Sequence, residues 1–171
     1  MTVAGFGMTI VALTLLTLLT QTAYASVLGV ADLYKILDEN VKDGDIISAS
    51  GNDFTLSKGK YDSGILGVVS LDPALYFGYN ETPADKLYPV ITSGTPIVNV
   101  STINGPIKAG DAVTSSDIPG AGMKADKSGF VLGIALKAYE ETDTQKIGQI
   151  PVTLNLRFYY PGTQYRRSQF D

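Results

Sequence analysis

The carboxylates are the side chains best suited to chemistry in this chain of 171 residues, because it contains no histidine and no cysteine. They cluster as Asp43 with Asp45, as Asp111 with Asp117, and as Glu140, Glu141 and Asp143. A calcium ion takes about six to eight oxygen ligands, usually from one dense acidic loop, and no cluster has that spacing. Missing imidazoles and thiolates exclude most transition-metal sites and most familiar catalytic bases. We therefore predict no metal, no cofactor, no catalytic residue and no enzyme activity.

Two further pairs could be reactive. Ser57-Lys58 would need a desolvated lysine to activate the serine, yet Lys60 follows in a polar turn. Asn104-Gly105 could be a point of self-cleavage, because glycine does not shield the following amide. Between two apolar runs the same pair is a strong signal of a two-residue hairpin. We predict a hairpin turn there, and self-cleavage remains an alternative.

Charge and composition limit the partners. The formal net charge is -4, from 13 basic and 17 acidic residues, and the basic ones are scattered except for Arg166-Arg167. Nucleic-acid binding needs a basic stripe or patch, so no nucleic-acid partner is predicted. Hydrophobic residues make up 44% of the chain, which is enough for a real core.

A repeat organises the middle of the chain. Gly44-Asp45 and Gly110-Asp111 are 66 positions apart (110 minus 44), and Gly67 and Gly133 are separated by the same interval (133 minus 67). Glycine and aspartate suit tight turns at 44–45 and 110–111, and glycine at 67 and 133 suits a position where another strand crosses closely. We therefore interpret all of them, with Asn104-Gly105, as architectural. The pattern indicates an internal duplication with units at about 42–100 and 108–157. Gly94 and Gly148 begin two further runs that we match as counterparts.

The elements that carry these residues are predicted from hydrophobic spacing. From residue 42 onward, short apolar runs alternate with turn residues, which is typical of strands. Before that, Val30, Leu33, Leu37 and Val41 lie at helical spacing. The predicted fold is mainly β: a hydrophobic N-terminal α-helix over 1–41, a compact β-barrel or sandwich of two similar units over 42–157, and an aromatic tail over 158–171.

The first segment predicts export to the cell envelope or the exterior, because no charged side chain precedes Asp32. Three alternatives remain open for it. Ala23-Tyr24-Ala25 before Ser26 resembles a signal-peptide cleavage site. Residues 2–24 are long enough for a membrane anchor. Gly5-Phe6 is similar to the junction that pilin peptidases cut, which would make the helix a filament spine. Contact with a membrane, at least in passing, follows from each alternative.

Aromatic and amide residues suggest contact surfaces. Tyrosines with polar neighbours can stack on sugars or form protein interfaces, and arginines beside aromatics suit docking on a neighbouring subunit. The predicted contact residues are Tyr76, Tyr79, Tyr159, Tyr160, Arg166 and Arg167. Asn80 and Asn99 match the glycosylation sequon.

A resemblance covers roughly 42–156. The shared elements include Pro89-Val90, Asn104-Gly105-Pro106-Ile107, Gly110-Asp111, Pro119-Gly120 and Leu132-Gly133. On these residues the chain resembles an uncharacterised β-rich envelope module of candidate-phyla bacteria, and it is loosely similar to phage tail-fibre-type domains. The resemblance implies a surface location and an oligomeric structural role.

We therefore expect a non-catalytic, exported structural or adhesive protein that assembles with itself into a filament or another oligomer. Two alternatives remain. One is a secreted module that binds a surface glycan or a protein, and the other is a self-cleaving tail-fibre-type domain.

Overall fold

The computed structural model of the chain describes residues 29–77 and 86–161. These ranges contain eleven strands, and no helix occurs within them. The first six strands are β1 (Gly29–Lys35), β2 (Ile46–Ser50), β3 (Asp53–Leu56), β4 (Ile65–Val69), β5 (Leu75–Phe77) and β6 (Leu87–Gly94). The other five are β7 (Ile97–Val100), β8 (Ala112–Ser115), β9 (Gly122–Lys124), β10 (Gly129–Ala135) and β11 (Gly148–Tyr159).

The strands form two units. The first is a six-stranded sheet in the order β3-β2-β4-β6-β1-β5, and the second is a closed barrel in the order β10-β11-β7-β9-β8. Just after β1, Ile36 bridges to Phe54 of β3 in parallel fashion, so the chain joins β1 to the far edge of the sheet. In the barrel β7 likewise runs parallel to β9 and antiparallel to β11. Apart from β5, the two units therefore share one pattern of strand pairing.

The pattern extends to individual residues. Ile47 pairs with Gly67 in the first unit, and Val113 pairs with Gly133 in the second, 66 positions later in each case. The two units also share a core. One cluster of buried apolar side chains combines three residues of the first sheet with eight of the barrel region. This common core holds the two units against each other.

The predicted N-terminal helix is wrong where the structure describes it. Residues 1–28 lie outside the described residues, but 29–41 contain β1 and no helix. Hydrogen bonds to β5 on one side and β6 on the other fix this segment as a strand. Two of the four residues assigned to the helical face, Val30 and Leu37, are 43% and 46% exposed. Within the described ranges, no helical segment is present that could cross a membrane.

The predicted compact barrel or sandwich of two similar units also needs correction. The structure has a six-stranded sheet beside a closed five-stranded barrel. Strand β7, which the sequence placed at the end of the first unit, belongs to the barrel, and β1 has the equivalent place in the first unit. The units therefore meet between Gly94 and Ile97, a few residues earlier than the repeat of Gly-Asp indicated.

The match between the runs after Gly94 and Gly148 is wrong as well. Those runs lie in β7 and β11, which are hydrogen-bonded neighbours. The counterparts are Pro89 in β6 and Pro151 in β11. The Pro89 carbonyl accepts from the Ser70 N–H at 3.0 Å, and the Pro151 carbonyl accepts from the Leu136 N–H at 2.9 Å. Ser70 and Leu136 are again 66 positions apart.

Candidate functional site

A cleft of about 570 Å³ lies where the two units meet. The first unit contributes Asn40, Lys42, Asp43, Asp45 and Leu56, and the second contributes Asn99, Ile118, Pro119, Ala121, Ile147 and Gln149. One side is largely aliphatic and the other carries carboxylates and amides. Clefts of this size at the junction of two units are common ligand sites, so it is the candidate site.

The turn before β2 supplies the deepest carboxylate of the cleft. Gly44 has φ +86°, which lets the chain turn sharply and bury Asp45, whose exposed fraction is 6%. The Lys42 N–H donates to Asp45 Oδ2 at 2.7 Å. From the second unit, Asn99 Nδ2 donates to Asp45 Oδ1 at 2.8 Å. Both carboxylate oxygens are thus used, one within the turn and one across the junction.

Asn99 extends this network across the junction. Its backbone N–H donates to the Gly44 carbonyl at 2.9 Å, and its Nδ2 also donates to the Asp43 carbonyl at 2.9 Å. Its Oδ1 accepts a hydrogen bond from Gln149 Nε2 at 2.9 Å. Asn99 is 7% exposed and both Nδ2 hydrogens are engaged, so the folded chain does not present this sequon for glycosylation.

Burial changes the acidity of Asp45. Its removal from water raises the pKa above the ordinary value of 3.8, and the hydrogen bonds from Lys42 and Asn99 offset only part of that effect. The neutral form is therefore easier to reach in the folded protein than in the unfolded chain.

The equivalent turn of the second unit has the opposite character. Gly110 has φ +91°, and the Lys108 N–H donates to Asp111 Oδ2 at 2.8 Å, as in the first unit. Here, however, Lys124 Nζ lies 2.8 Å from Asp111 Oδ2. Burial raises the pKa of Asp111, but the hydrogen bond from Lys124 and its charge outweigh burial and hold the pKa below 3.8.

This ion pair predicts a modest loss on substitution. Lys124→Met should lower the free energy of unfolding by about 0.5–1 kcal/mol near neutral pH, because the pair is partly exposed. In the wild type, the stabilisation due to Asp111 is present above pH 3.8 and is lost as the pH falls through its lower folded-state pKa. The variant should therefore differ from the wild type at neutral pH and converge with it in strong acid. Urea unfolding at both pH values, with exposed Lys137→Met as control, measures this.

The Asn104-Gly105 turn is present, but the predicted hairpin is wrong. Gly105 has φ +90° and its N–H donates to the Thr102 carbonyl at 2.8 Å, so the turn is centred on residues 103 and 104. Asn104 Nδ2 donates to the Lys124 carbonyl at 2.9 Å. The strand before it, β7, pairs with β11 and β9, and Ile107 after it bridges to Tyr139.

The aromatic residues predicted to form contact surfaces lie in different environments. Tyr159 is half-buried against a small apolar cluster, whereas Tyr160 is exposed. Tyr160 belongs to an exposed aromatic row with Phe158 and Phe130, with ring centroids 4.9 and 5.4 Å apart. Tyr76 lies in β5, where its backbone pairs with that of Ala31 in β1. Four further predicted residues lie outside the described residues, namely Tyr79, Asn80, Arg166 and Arg167.

Sequence reasoning missed a tyrosine that joins the two units. Tyr61 Oη donates to Asp126 Oδ1 at 2.7 Å and accepts from the Asp126 N–H at 2.9 Å. The ring lies against Gly129, where any Cβ would collide with it. No repeat or motif in the sequence marks Tyr61. In the structure, its φ of 57° is unusual for a residue other than glycine.

Tyr61→Phe should lower the urea midpoint of unfolding below that of the wild type, because Asp126 loses its hydroxyl partner. Tyr34→Phe is the control, since the Tyr34 hydroxyl makes no hydrogen bond to the part of the chain that the structure describes. Equal unfolding midpoints for the two variants in urea would contradict the prediction.

No cluster of three or more metal-binding side chains occurs within residues 29–77 and 86–161. What the site does in this structure is bind the two units together. The side chains of Asp45 and Asn99 are hydrogen-bonded to each other and to the backbone, and Ile118, Pro119 and Ile147 line the aliphatic side of the cleft.

The fold is an all-β module of two similar units, and solved structures share it. The chain is similar to the C-terminal fragment of gene product 12 of bacteriophage phi29, with 13% identity, a TM-score of 0.54, and coverage of 73% of this chain and 99% of that one. The pre-mature form of the same phage protein matches with 12% identity and a TM-score of 0.53. That match covers 75% of this chain but only 21% of the longer protein.

No protein-family model and no curated protein sequence matches the chain. These two solved structures are of a phage protein, which agrees at the level of fold with the similarity to phage domains seen in the sequence. The resemblance to a bacterial envelope module and to pilins has no counterpart among these comparisons.

Proposed function

We propose that this chain is a non-catalytic structural or adhesive module that works outside the cell or on a surface. The observation that carries the proposal is the role of the buried Asp45 carboxylate, the most reactive type of side chain in the cleft. The Asp45 carboxylate accepts one hydrogen bond on each oxygen, from Lys42 and from Asn99, and so serves to join the units. A general base must reach a proton of the substrate, whereas the Asp45 side chain is buried and held between the two units.

The fold supports the same proposal. The fragment of a phage gene product that this chain resembles is matched over 99% of its length, and this supports treating the two units together as one building block. Export is part of the proposal, on the basis of the charge-free segment that precedes Asp32.

Self-association is the second part of the proposal. Strand β5 lies at an edge of the first sheet, and its Leu75 and Phe77 side chains are exposed. Apolar side chains on an open edge favour pairing with another chain. The exposed aromatic row of Phe130, Phe158 and Tyr160 adds a second apolar surface.

The aromatic row also favours one alternative, a module that binds a glycan or a protein. In that case Phe158→Ala and Tyr160→Ala would abolish retention on the target while leaving the unfolding midpoint nearly unchanged.

The proposal is tested by negative-stain electron microscopy of native material together with the intact mass of the chain. Large regular assemblies of an uncut chain are expected. A discrete cut at Asn104-Gly105, abolished by a substitution there, would instead establish a self-cleaving domain. Small particles of an uncut chain that bind a glycan array would establish the binding module.

A further inference from the structure

We propose that Asn104 is a modification site whose deamidation is controlled by the fold. In the folded chain, contacts to Lys124 and Asp126 protect the Asn104-Gly105 pair, and loss of those contacts exposes it to an irreversible change. The site lies outside the cleft, and the inference is independent of the proposed self-association.

The reaction needs only the two residues and water. The backbone nitrogen of Gly105 can attack Cγ of Asn104, because glycine has no side chain that shields it. A bond forms between that nitrogen and Cγ, the bond from Cγ to Nδ2 breaks, and Nδ2 leaves as ammonia with the amide proton of Gly105. Water then opens the cyclic imide on either side, which leaves aspartate or isoaspartate.

Both reacting groups are held in the structure. The Gly105 N–H donates to the Thr102 carbonyl at 2.8 Å. The Asn104 side chain is drawn the other way, because its Nδ2 donates to the Lys124 carbonyl at 2.9 Å. Attack requires the Gly105 nitrogen to lose its proton and Cγ of Asn104 to turn toward it. Each of the two hydrogen bonds therefore opposes the reaction.

The turn is also fixed at both ends. Before it, the Ser101 N–H donates to the Gly122 carbonyl at 2.9 Å. After it, the Ile107 N–H donates to the Tyr139 carbonyl at 2.9 Å. Ser101 and Ile107 are both fully buried. The backbone between them therefore changes its conformation only when this part of the barrel opens locally.

A carboxylate connects the turn to the first unit. Asp126 Oδ1 accepts from the Tyr61 hydroxyl at 2.7 Å. The pKa of Asp126 lies below 3.8 because of hydrogen bonds, first from Tyr61 and second from the Asn104 side chain. Tyr61 belongs to the first unit, whereas Asn104 and Asp126 belong to the second. Contact between the units therefore helps to keep the Asn104 amide in place.

Deamidation would prevent the contact from forming again. It replaces the Nδ2 donor of Asn104 with a carboxylate oxygen, which would face the Lys124 carbonyl and the Asp126 carboxylate. Two acceptors without a hydrogen between them repel, and the two carboxylates repel by charge as well. A transient opening of the turn would thus become permanent.

Peptide mapping of the full chain by mass spectrometry, after incubation in mildly alkaline buffer, tests the inference. Asn104 should deamidate more slowly in the folded chain than in the chain unfolded in guanidinium chloride, by about tenfold or more, because the folded chain must first open locally. Asp126→Ala should accelerate the reaction in the folded chain, since Asn104 loses a partner. Asp117→Ala is the matched control, because Asp117 is an exposed carboxylate paired with Lys60 away from this turn.

Asn104→Asp introduces the product directly. This variant should have a lower urea midpoint than the wild type at neutral pH. The difference should shrink in acid, because repulsion from Asp126 raises the pKa of the new carboxyl group and protonation then removes the repulsion.

Equal deamidation rates in the folded and unfolded wild-type chain would overturn the inference, and this comparison does not depend on any variant. An Asp126→Ala chain that is folded by circular dichroism but reacts no faster than Asp117→Ala would overturn the role of Asp126. Cleavage of the folded chain between Asn104 and Gly105 would overturn both this inference and the proposed non-catalytic function.

Discussion

Gly133→Ala is expected to destabilise the protein by at least about 3 kcal/mol, a large fraction of the roughly 5–15 kcal/mol that stabilises an ordinary domain. Gly133 lies in β10 opposite Leu154 of β11. A Cβ at this position would overlap the Thr153 carbonyl oxygen of the partner strand. A backbone atom cannot swing aside as a side chain can, so the β10–β11 ladder would have to open.

Gly59→Ala is the matched control, because a Cβ there meets no atom within 4 Å. Its unfolding free energy should stay within about 0.5 kcal/mol of the wild type. Urea unfolding followed by circular dichroism measures both variants. Gly67→Ala should behave like Gly133→Ala, since its Cβ would overlap the Ile91 carbonyl oxygen. A loss below 1 kcal/mol at both repeat positions would show that the two strand pairs can move apart freely.

Asn99→Leu is expected to cost about 2–3 kcal/mol near neutral pH. The substitution keeps the size of the side chain but removes the donor to Asp45 Oδ1. The Asp45 carboxylate would then stay buried with the Lys42 N–H as its remaining described partner. The cost arises because a buried carboxylate that loses a hydrogen-bond donor keeps the penalty of its removal from water.

The cost of Asn99→Leu should shrink in acid. The pKa of Asp45 is already above 3.8 because of burial, and loss of the Asn99 donor raises it further. As the pH falls from neutral through this raised pKa toward 3.8, the folded variant takes up a proton before the unfolded chain does, and its stability recovers relative to the wild type.

Gln149→Leu is the control for this experiment. It removes a donor to Asn99 Oδ1 at the exposed end of the network, so a pH-independent loss of about 1 kcal/mol or less is expected. Unfolding free energies of the three proteins across the acid range provide the comparison. A loss for Asn99→Leu that is the same at every pH would mean that Asp45 is not the group left uncompensated.

The sequence by itself determined the repeat and its turns. Gly44 and Gly110 recur at the same interval because each unit needs a positive φ before the strand that enters the core. Gly67 and Gly133 recur because a partner strand passes too close for any side chain. Such needs are local, so they leave a fixed residue type at a fixed place and can be recognised without a structure.

Only the tertiary structure decided what the segment after residue 28 becomes and what each repeated carboxylate does. Val30, Leu33, Leu37 and Val41 satisfy a helical period, yet hydrogen bonds from β5 and β6 make this segment a strand. Pairing between distant strands overrides a short local period.

Asp45 and Asp111 have the same local sequence context but opposite pKa shifts. Asp45 is buried by Asn99 from the other unit, whereas Asp111 stays at a surface beside Lys124. The pKa of a carboxylate depends on water and charge within a few ångströms, and those neighbours come from residues far along the chain. The repeat therefore predicted two equal turns, and the packing of one unit on the other made them different.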